Sequence, residues 1–64
     1  MIDSKTAKLF VGKFCQFVRE ENGRSIPFKG LLINVTDSDI IVKFNGQLQT
    51  YSLESLEHIR EVGE

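Results

Sequence analysis

Residues 40–52 read IIVKFNGQLQTYS, two runs rich in β-branched and aromatic side chains that are joined by Asn45-Gly46. Asn and Gly both accept positive φ, and an Asn-Gly pair between such runs is the strongest short-range indication of a two-residue hairpin turn. The pattern therefore predicts two antiparallel strands, at residues 40–44 and 47–52.

Three more runs have the composition of strands. They are residues 13–19, 26–36 and 58–62. Asn22-Gly23 provides a tight turn between the first two. Gly30 interrupts the second run, and a glycine inside a strand marks a bend or bulge where another backbone comes close.

Two short segments have helical character. Residues 4–10 predict a helix that Asp3 or Ser4 caps and Gly12 ends. A helix this short is not stable alone, so we expect it to dock on the sheet through Leu9 and Phe10. Residues 52–57 predict one helical turn before the last strand, with Ser52 as its cap.

Five strands within residues 13–62, the second of them bent, favour a small closed barrel. Closure removes the free edges that an open five-stranded sheet would expose. We therefore predict a mostly β protein with a short N-terminal helix and a helical turn before the last strand. Residues 1–64 form one domain, with residues 1–11 as a helical arm and residues 13–62 as the barrel.

The composition excludes several classes of protein. With 41% hydrophobic and 27% charged residues, the chain is too hydrophobic for a disordered tail and too polar for a membrane span. No apolar run approaches the roughly 18 residues of a transmembrane helix. The first residues carry no secretory signal, so we expect a cytoplasmic protein that contacts no membrane.

Candidate catalytic and metal-binding groups are few. Cys15 and His58 are each the only residue of their kind, which excludes an intramolecular disulfide and a Cys-rich metal cage. Nothing in the sequence brings these two together as a nucleophile and a base. Asp37 and Asp39 flank a turn, and two carboxylates in a turn are far more often solvated than metal-bound. We therefore predict no enzymatic activity, no metal and no cofactor.

The first two strands resemble a known family. Gly12-Lys13, Asn22-Gly23 and the run Phe28-Lys29-Gly30-Leu31-Leu32 followed by Val35 resemble the first motif of Sm-like barrels. The carboxy-terminal barrel of bacterial ribosome maturation factors is similar, and it too has a turn of the Ser52-to-Glu57 type before its last strand. The resemblance covers residues 5–62. It implies a five-stranded SH3-like (Sm-like) barrel that associates with RNA or the ribosome.

The resemblance also implies which side chains face the interior. Those expected inside are Cys15, Phe17, Phe28, Leu32 and Val35. Those expected outside are Phe14, Gln16, Val18, Leu31 and Ile33. A one-residue shift of register would exchange the two faces.

Nucleic-acid binding is the first functional hypothesis. Because the net charge is −1, binding can come only from a local group of cations. Four cations lie in the first two strands and beside their turn: Lys13, Arg19, Arg24 and Lys29. Phe14 and Tyr51 are candidate platforms for stacked bases, although burial in the core is the more common role for such side chains.

Protein–protein interaction is the alternative hypothesis. If Cys15 faces inward, an apolar stripe forms on the outer surface from Phe14, Val18, Leu31 and Ile33. A small monomer rarely leaves such a patch exposed to water. The stripe therefore favours a homo-oligomer or a partner protein, with no nucleic-acid binding.

Overall fold

The chain folds mainly into β-strands. A computed structural model describes residues 2–63. Within that range one short helix precedes five strands and a 3-10 turn separates the last two: α1 (Ser4–Lys8), β1 (Phe14–Glu21), β2 (Arg24–Val35), β3 (Asp39–Phe44), β4 (Gln47–Ser52), the 3-10 turn (Leu53–Ser55) and β5 (Leu56–Glu61). The predicted order of elements is confirmed.

The strands form one antiparallel sheet in the order β4-β3-β2-β1-β5. The sheet is strongly curled. Its curl is shown by the rings of Tyr51 on β4 and Phe28 on β2, which lie 4.4 Å apart although β3 separates the two strands. Over residues 2–63, β4 and β5 are the two edges of the sheet and no ladder joins them. The mostly β fold is confirmed, and the sheet is curled but not closed.

Two Asn-Gly turns fix the register of the hairpins. Asn45-Gly46 has φ values of 53° and 76°, as a type I′ turn requires, and Phe44 faces Gln47 across it. Asn22-Gly23 has φ values of 53° and 79°. There the Glu20 carboxylate also accepts a hydrogen bond of 2.6 Å from the turn's second N–H. Both predicted hairpins are confirmed.

β3 approaches β2 most closely at Gly30 among the glycine positions of residues 2–63. A Cβ atom at Gly30 would collide with a Cγ atom of Val42 and would lie 3.1 Å from the carbonyl oxygen of Lys43. Only glycine lets β3 come this close to β2. A register shift between Leu32 and Asn34 marks a bulge just beyond.

The core lies on the concave side of the sheet. Its buried side chains come from α1, β1, β2, β3, the 3-10 turn and β5, and they are Ala7, Cys15, Phe17, Leu32, Val35, Ile40, Val42, Leu53, Leu56 and Ile59. Phe28 is half-buried and packs against this core. The inward assignment of Cys15, Phe17, Leu32 and Val35 is therefore confirmed.

The N-terminal segment docks through Phe10, as predicted, and through Ala7 in place of Leu9. Ala7 is wholly buried and Phe10 packs against the core, whereas Leu9 is 74% exposed. The helix ends at Lys8, so Leu9 leaves the face that Ala7 presents to the sheet. No helix within residues 2–63 is long and apolar enough to cross a membrane.

Both predicted caps are present. The Asp3 carboxylate accepts a hydrogen bond of 2.8 Å from the N–H of Thr6 at the start of α1. This bond from the Thr6 backbone is the main cause that lowers the pKa of Asp3. The Ser52 hydroxyl accepts a hydrogen bond of 3.1 Å from the N–H of Glu54 in the 3-10 turn.

Candidate functional site

An open cleft of about 480 Å³ lies on the concave side of the sheet, beyond the core. Three aromatic rings, three side-chain amides, one valine and one lysine line it: Phe28, Lys29, Val42, Phe44, Asn45, Gln47, Gln49 and Tyr51. Among residues 2–63, no carboxylate contributes to this lining. The cleft is therefore apolar and amide-rich with a positive rim.

The β3-β4 hairpin brings most of these side chains to one face. Directly paired residues in an antiparallel ladder share a face, and the Asn45-Gly46 turn pairs Phe44 with Gln47 and Val42 with Gln49. β4 is an edge strand, so no further strand pairs beyond it in the sheet. Phe44 is 50% exposed on this face.

A stack of three rings connects the core to the cleft. Phe17 is wholly buried, and its ring lies 4.9 Å from that of Phe28 at an angle of 15°. Phe28 in turn lies 4.4 Å from Tyr51 at an angle of 31°. Two of the three rings in the cleft wall, Phe28 and Tyr51, are thus packed in contact with the core.

Arg19 lies next to the cleft, across the Tyr51 ring. Its guanidinium carbon is 5.6 Å from the ring centroid, within cation–π distance. One guanidinium nitrogen also lies 2.9 Å from a carboxylate oxygen of Glu21. The aromatic ring and the carboxylate together hold this cation on the concave side.

The four cations predicted to bind nucleic acid are spread over the molecule. Lys29 follows the inward-facing Phe28, so strand alternation directs its side chain to the outer face, yet the residue still borders the cleft at its rim. Arg19 lies beside the cleft. Arg24 is exposed at the start of β2, opposite Glu21 in the register. Lys13 precedes β1 and pairs with Glu61 at 3.3 Å, separated from Arg24 by the length of an eight-residue strand, roughly 25 Å.

The two candidate stacking residues lie on opposite faces of the sheet. Tyr51 is in the cleft wall. Phe14 is half-buried and pairs with Leu31 on the outer face. The sequence interpretation missed Phe44 and the neighbouring glutamines as site residues, although counting outward from the Asn45-Gly46 turn places them on one face with Tyr51.

The predicted outer stripe is interrupted. Phe14 pairs with Leu31, and Val18 pairs with Pro27, but the polar pair Gln16 and Lys29 lies between these two apolar pairs. The Gln16 side chain also accepts a hydrogen bond of 2.7 Å from Arg60. The outer face thus carries separate apolar patches, with Ile33 39% exposed beyond the first pair.

The single cysteine lies in the core. Cys15 is wholly buried, and its thiol donates a hydrogen bond of 3.4 Å to the carbonyl oxygen of Lys13. Burial raises the pKa of this thiol, Glu61 raises it further, and Lys13 opposes them. Within residues 2–63, no group of three His, Cys, Asp or Glu side chains is arranged to hold a metal ion.

The fold and the cleft define a small, curled β-sheet protein with an open, aromatic-lined cleft. Comparison with protein-family models, with curated proteins and with solved structures finds no match to this chain. The chemistry of the cleft is therefore the basis for a functional interpretation.

Proposed function

We propose that this protein is a non-enzymatic module that binds single-stranded RNA, free or ribosomal, in the cytoplasm. The observation that carries the proposal is the cleft, which combines the exposed ring of Phe44, two half-buried aromatic rings, side-chain amides and Lys29. In this proposal the curled sheet is an open form of an SH3-like (Sm-like) barrel. The resemblance of the first two strands to Sm-like barrels supports the same ligand class.

Each part of the cleft matches one part of a nucleotide. Bases stack on exposed rings such as that of Phe44, with a gain of roughly 1–3 kcal/mol per base. The amides of Asn45, Gln47 and Gln49 offer both donors and acceptors, which suit the edges of an unstacked base and the 2′-hydroxyl group. Lys29 at the rim suits a phosphate.

The charges around the cleft favour an anionic ligand over a cationic one. An aromatic cleft that recognises an ammonium group needs ring faces that are free of competing cations. Here Arg19 already lies over Tyr51, and Lys29 borders the cleft. Bases in a duplex are stacked on each other, so only a single strand can place them against these rings.

Replacing Phe44 by alanine tests the stacking role. Fluorescence anisotropy with a labelled, mixed-sequence RNA hexamer should show affinity weakened by about fivefold or more, the loss expected for one stacked base. Leu48→Ala is the matched control, because Leu48 is 63% exposed on the other face of the same hairpin. Equal losses in both variants, or no binding by the wild type at low salt, would overturn the proposal.

Replacing Lys29 by alanine tests the phosphate contact. A slope of log affinity against log salt between about −0.7 and −1.4 is expected for one or two contacts on a single strand, and Lys29→Ala should flatten it by about 0.7. Lys43→Ala removes the same charge from a residue that pairs with Leu48 and does not line the cleft, and it should leave the slope unchanged. Binding that does not respond to salt would exclude the phosphate contact.

Protein–protein interaction remains a second candidate, because the outer face exposes Ile33 and Leu48 at 39% and 63%. If this face covers a second copy or a partner, Ile33→Lys should dissociate the complex and leave the circular dichroism spectrum intact. A sedimentation profile that shows a monomer at every concentration would remove self-association from consideration.

A further inference from the structure

We propose that Arg19 is a second anion-binding residue of the cleft and that Glu21 occupies it as a competing intramolecular anion. A phosphate of the bound RNA and the Glu21 carboxylate would then exchange on the same guanidinium group. This inference rests on the proposed RNA binding. It adds a regulatory ion pair to that site.

The position of Arg19 suits a phosphate attached to a stacked base. Its guanidinium lies 5.6 Å from the centroid of Tyr51, a ring in the cleft wall. Within residues 2–63 the guanidinium donates one side-chain hydrogen bond, from Nη1 to Glu21, so most of its five N–H donors are available. Guanidinium groups bind phosphate through two such donors in parallel. Arg19 therefore offers a phosphate site one ring away from the proposed base site.

In the structure, the Glu21 carboxylate accepts a hydrogen bond from one guanidinium nitrogen of Arg19. Arg19 and Glu21 are two residues apart on β1, so their side chains lie on the same face of the strand, and the two charged groups are 2.9 Å apart. The Glu21 side chain is 54% exposed, and exposed ion pairs are weak. A phosphate can therefore displace this carboxylate, at some loss of affinity.

Arg24 gives the displaced carboxylate an alternative partner. Glu21 and Arg24 are directly paired across the Asn22-Gly23 turn, and directly paired side chains lie within reach of each other. A shift of the Glu21 side chain from Arg19 towards Arg24 needs no change in the backbone. The Glu21 carboxylate can therefore move away from Arg19 and still lie next to a cation.

Glu21→Gln and Glu61→Gln form a matched pair of variants that tests this proposal. Each raises the net charge by one, and each frees one cation from an ion pair: Arg19 beside the cleft in the first, Lys13 in the second. Titration with the labelled RNA hexamer should give about two- to fivefold tighter binding for Glu21→Gln, the range that an exposed ion pair supports. Glu61→Gln should leave the affinity unchanged.

The salt dependence separates anion binding from a merely structural role. In the wild type, Arg19 exchanges one anion for another, whereas in Glu21→Gln it releases a counterion, so the slope should steepen by about 0.7. In an Arg19→Gln background, Glu21→Gln should have no effect on affinity or slope.

The possible outcomes are distinct. If wild type and Glu21→Gln both fail to bind at low salt, the proposed function is wrong, and this inference is wrong with it. If the wild type binds but the two Gln variants behave alike, or the gain persists without Arg19, only the inference is overturned. Tighter, Arg19-dependent binding by Glu21→Gln supports it.

Discussion

Replacing Gly30 by alanine tests how closely β2 and β3 pack. The new methyl group would collide with a Cγ atom of Val42, which is 2% exposed and stiff because it is β-branched. It would also lie 3.1 Å from the carbonyl oxygen of Lys43. Overpacking of this kind destabilises by about 1–3 kcal/mol. A domain of this length rarely has more than about 3–5 kcal/mol of stability, so the Tm should fall by roughly 5–20 °C.

A double-mutant cycle with Val42→Ala shows whether that contact is the cause. Val42→Ala alone removes buried methyl groups and should cost about 2 kcal/mol. In the Gly30→Ala protein, Val42→Ala also removes the collision. The double variant should therefore be destabilised by about 1 kcal/mol or more less than the sum of the two single variants. Urea denaturation followed by far-ultraviolet circular dichroism measures all four proteins. A stable Gly30→Ala variant, or strictly additive costs, would refute the described packing.

Three further perturbations test the turn, the cap and the core. Gly46→Val should destabilise by about 1–3 kcal/mol, because a β-branched residue resists a φ of 76°, while Gly63→Val, with open space around it, should be neutral in the same urea titration. Asp3→Ala should lower the Tm more than Asp3→Asn, whose amide oxygen still caps α1. Hydrogen bonds from Thr6 lower the pKa of Asp3. The stability due to the charge of Asp3 is therefore present above the ordinary aspartate pKa and is lost as the pH falls through the lowered pKa of the folded protein. A wild-type protein that stays more stable than Asp3→Asn in strong acid would contradict this. Cys15 should resist a thiol-reactive dye in native buffer and react once urea unfolds the chain, since burial raises the pKa of its thiol; rapid labelling of the native protein would place it outside the core.

The hairpins and caps could be predicted because their causes are local. Asn45-Gly46 needs only its own two residues to adopt positive φ. Asp3 reaches an N–H three residues away. The close approach of another strand at Gly30 was also predictable, although that strand could not be named from composition alone.

The interruption of the outer stripe could have been predicted by working out which residues pair across the β1-β2 hairpin. Strand alternation correctly placed Phe14, Val18 and Leu31 on one face, but alternation says nothing about which residues are neighbours across the strands. Counting outward from Asn22-Gly23 pairs Gln16 with Lys29, and this polar pair divides the stripe. The two-residue turn contains that information, because it fixes every pair along the hairpin.

The extent of sheet closure and the open cleft depend on contacts between distant elements. Tyr51 meets Phe28 and Arg19 only because the sheet curls across β3. No local pattern states how far a sheet of five strands will curl, since twist accumulates over all of them. The closed barrel was therefore an expectation from edge avoidance, and the curled, open sheet is the observed result.

The inner face of β4 gives the strongest reason to interpret the cleft as functional. Inward positions on the other strands are mostly apolar, and they form the core. On β4, the positions paired with Val42 and Phe44 are instead Gln49 and Gln47. Two apolar side chains there would extend the core beneath Phe28 and remove exposed aromatic surface from water. A sequence that places amides at such positions gives up stability in a domain that has little to spare, and departures of this kind are expected where a site must remain open to a ligand.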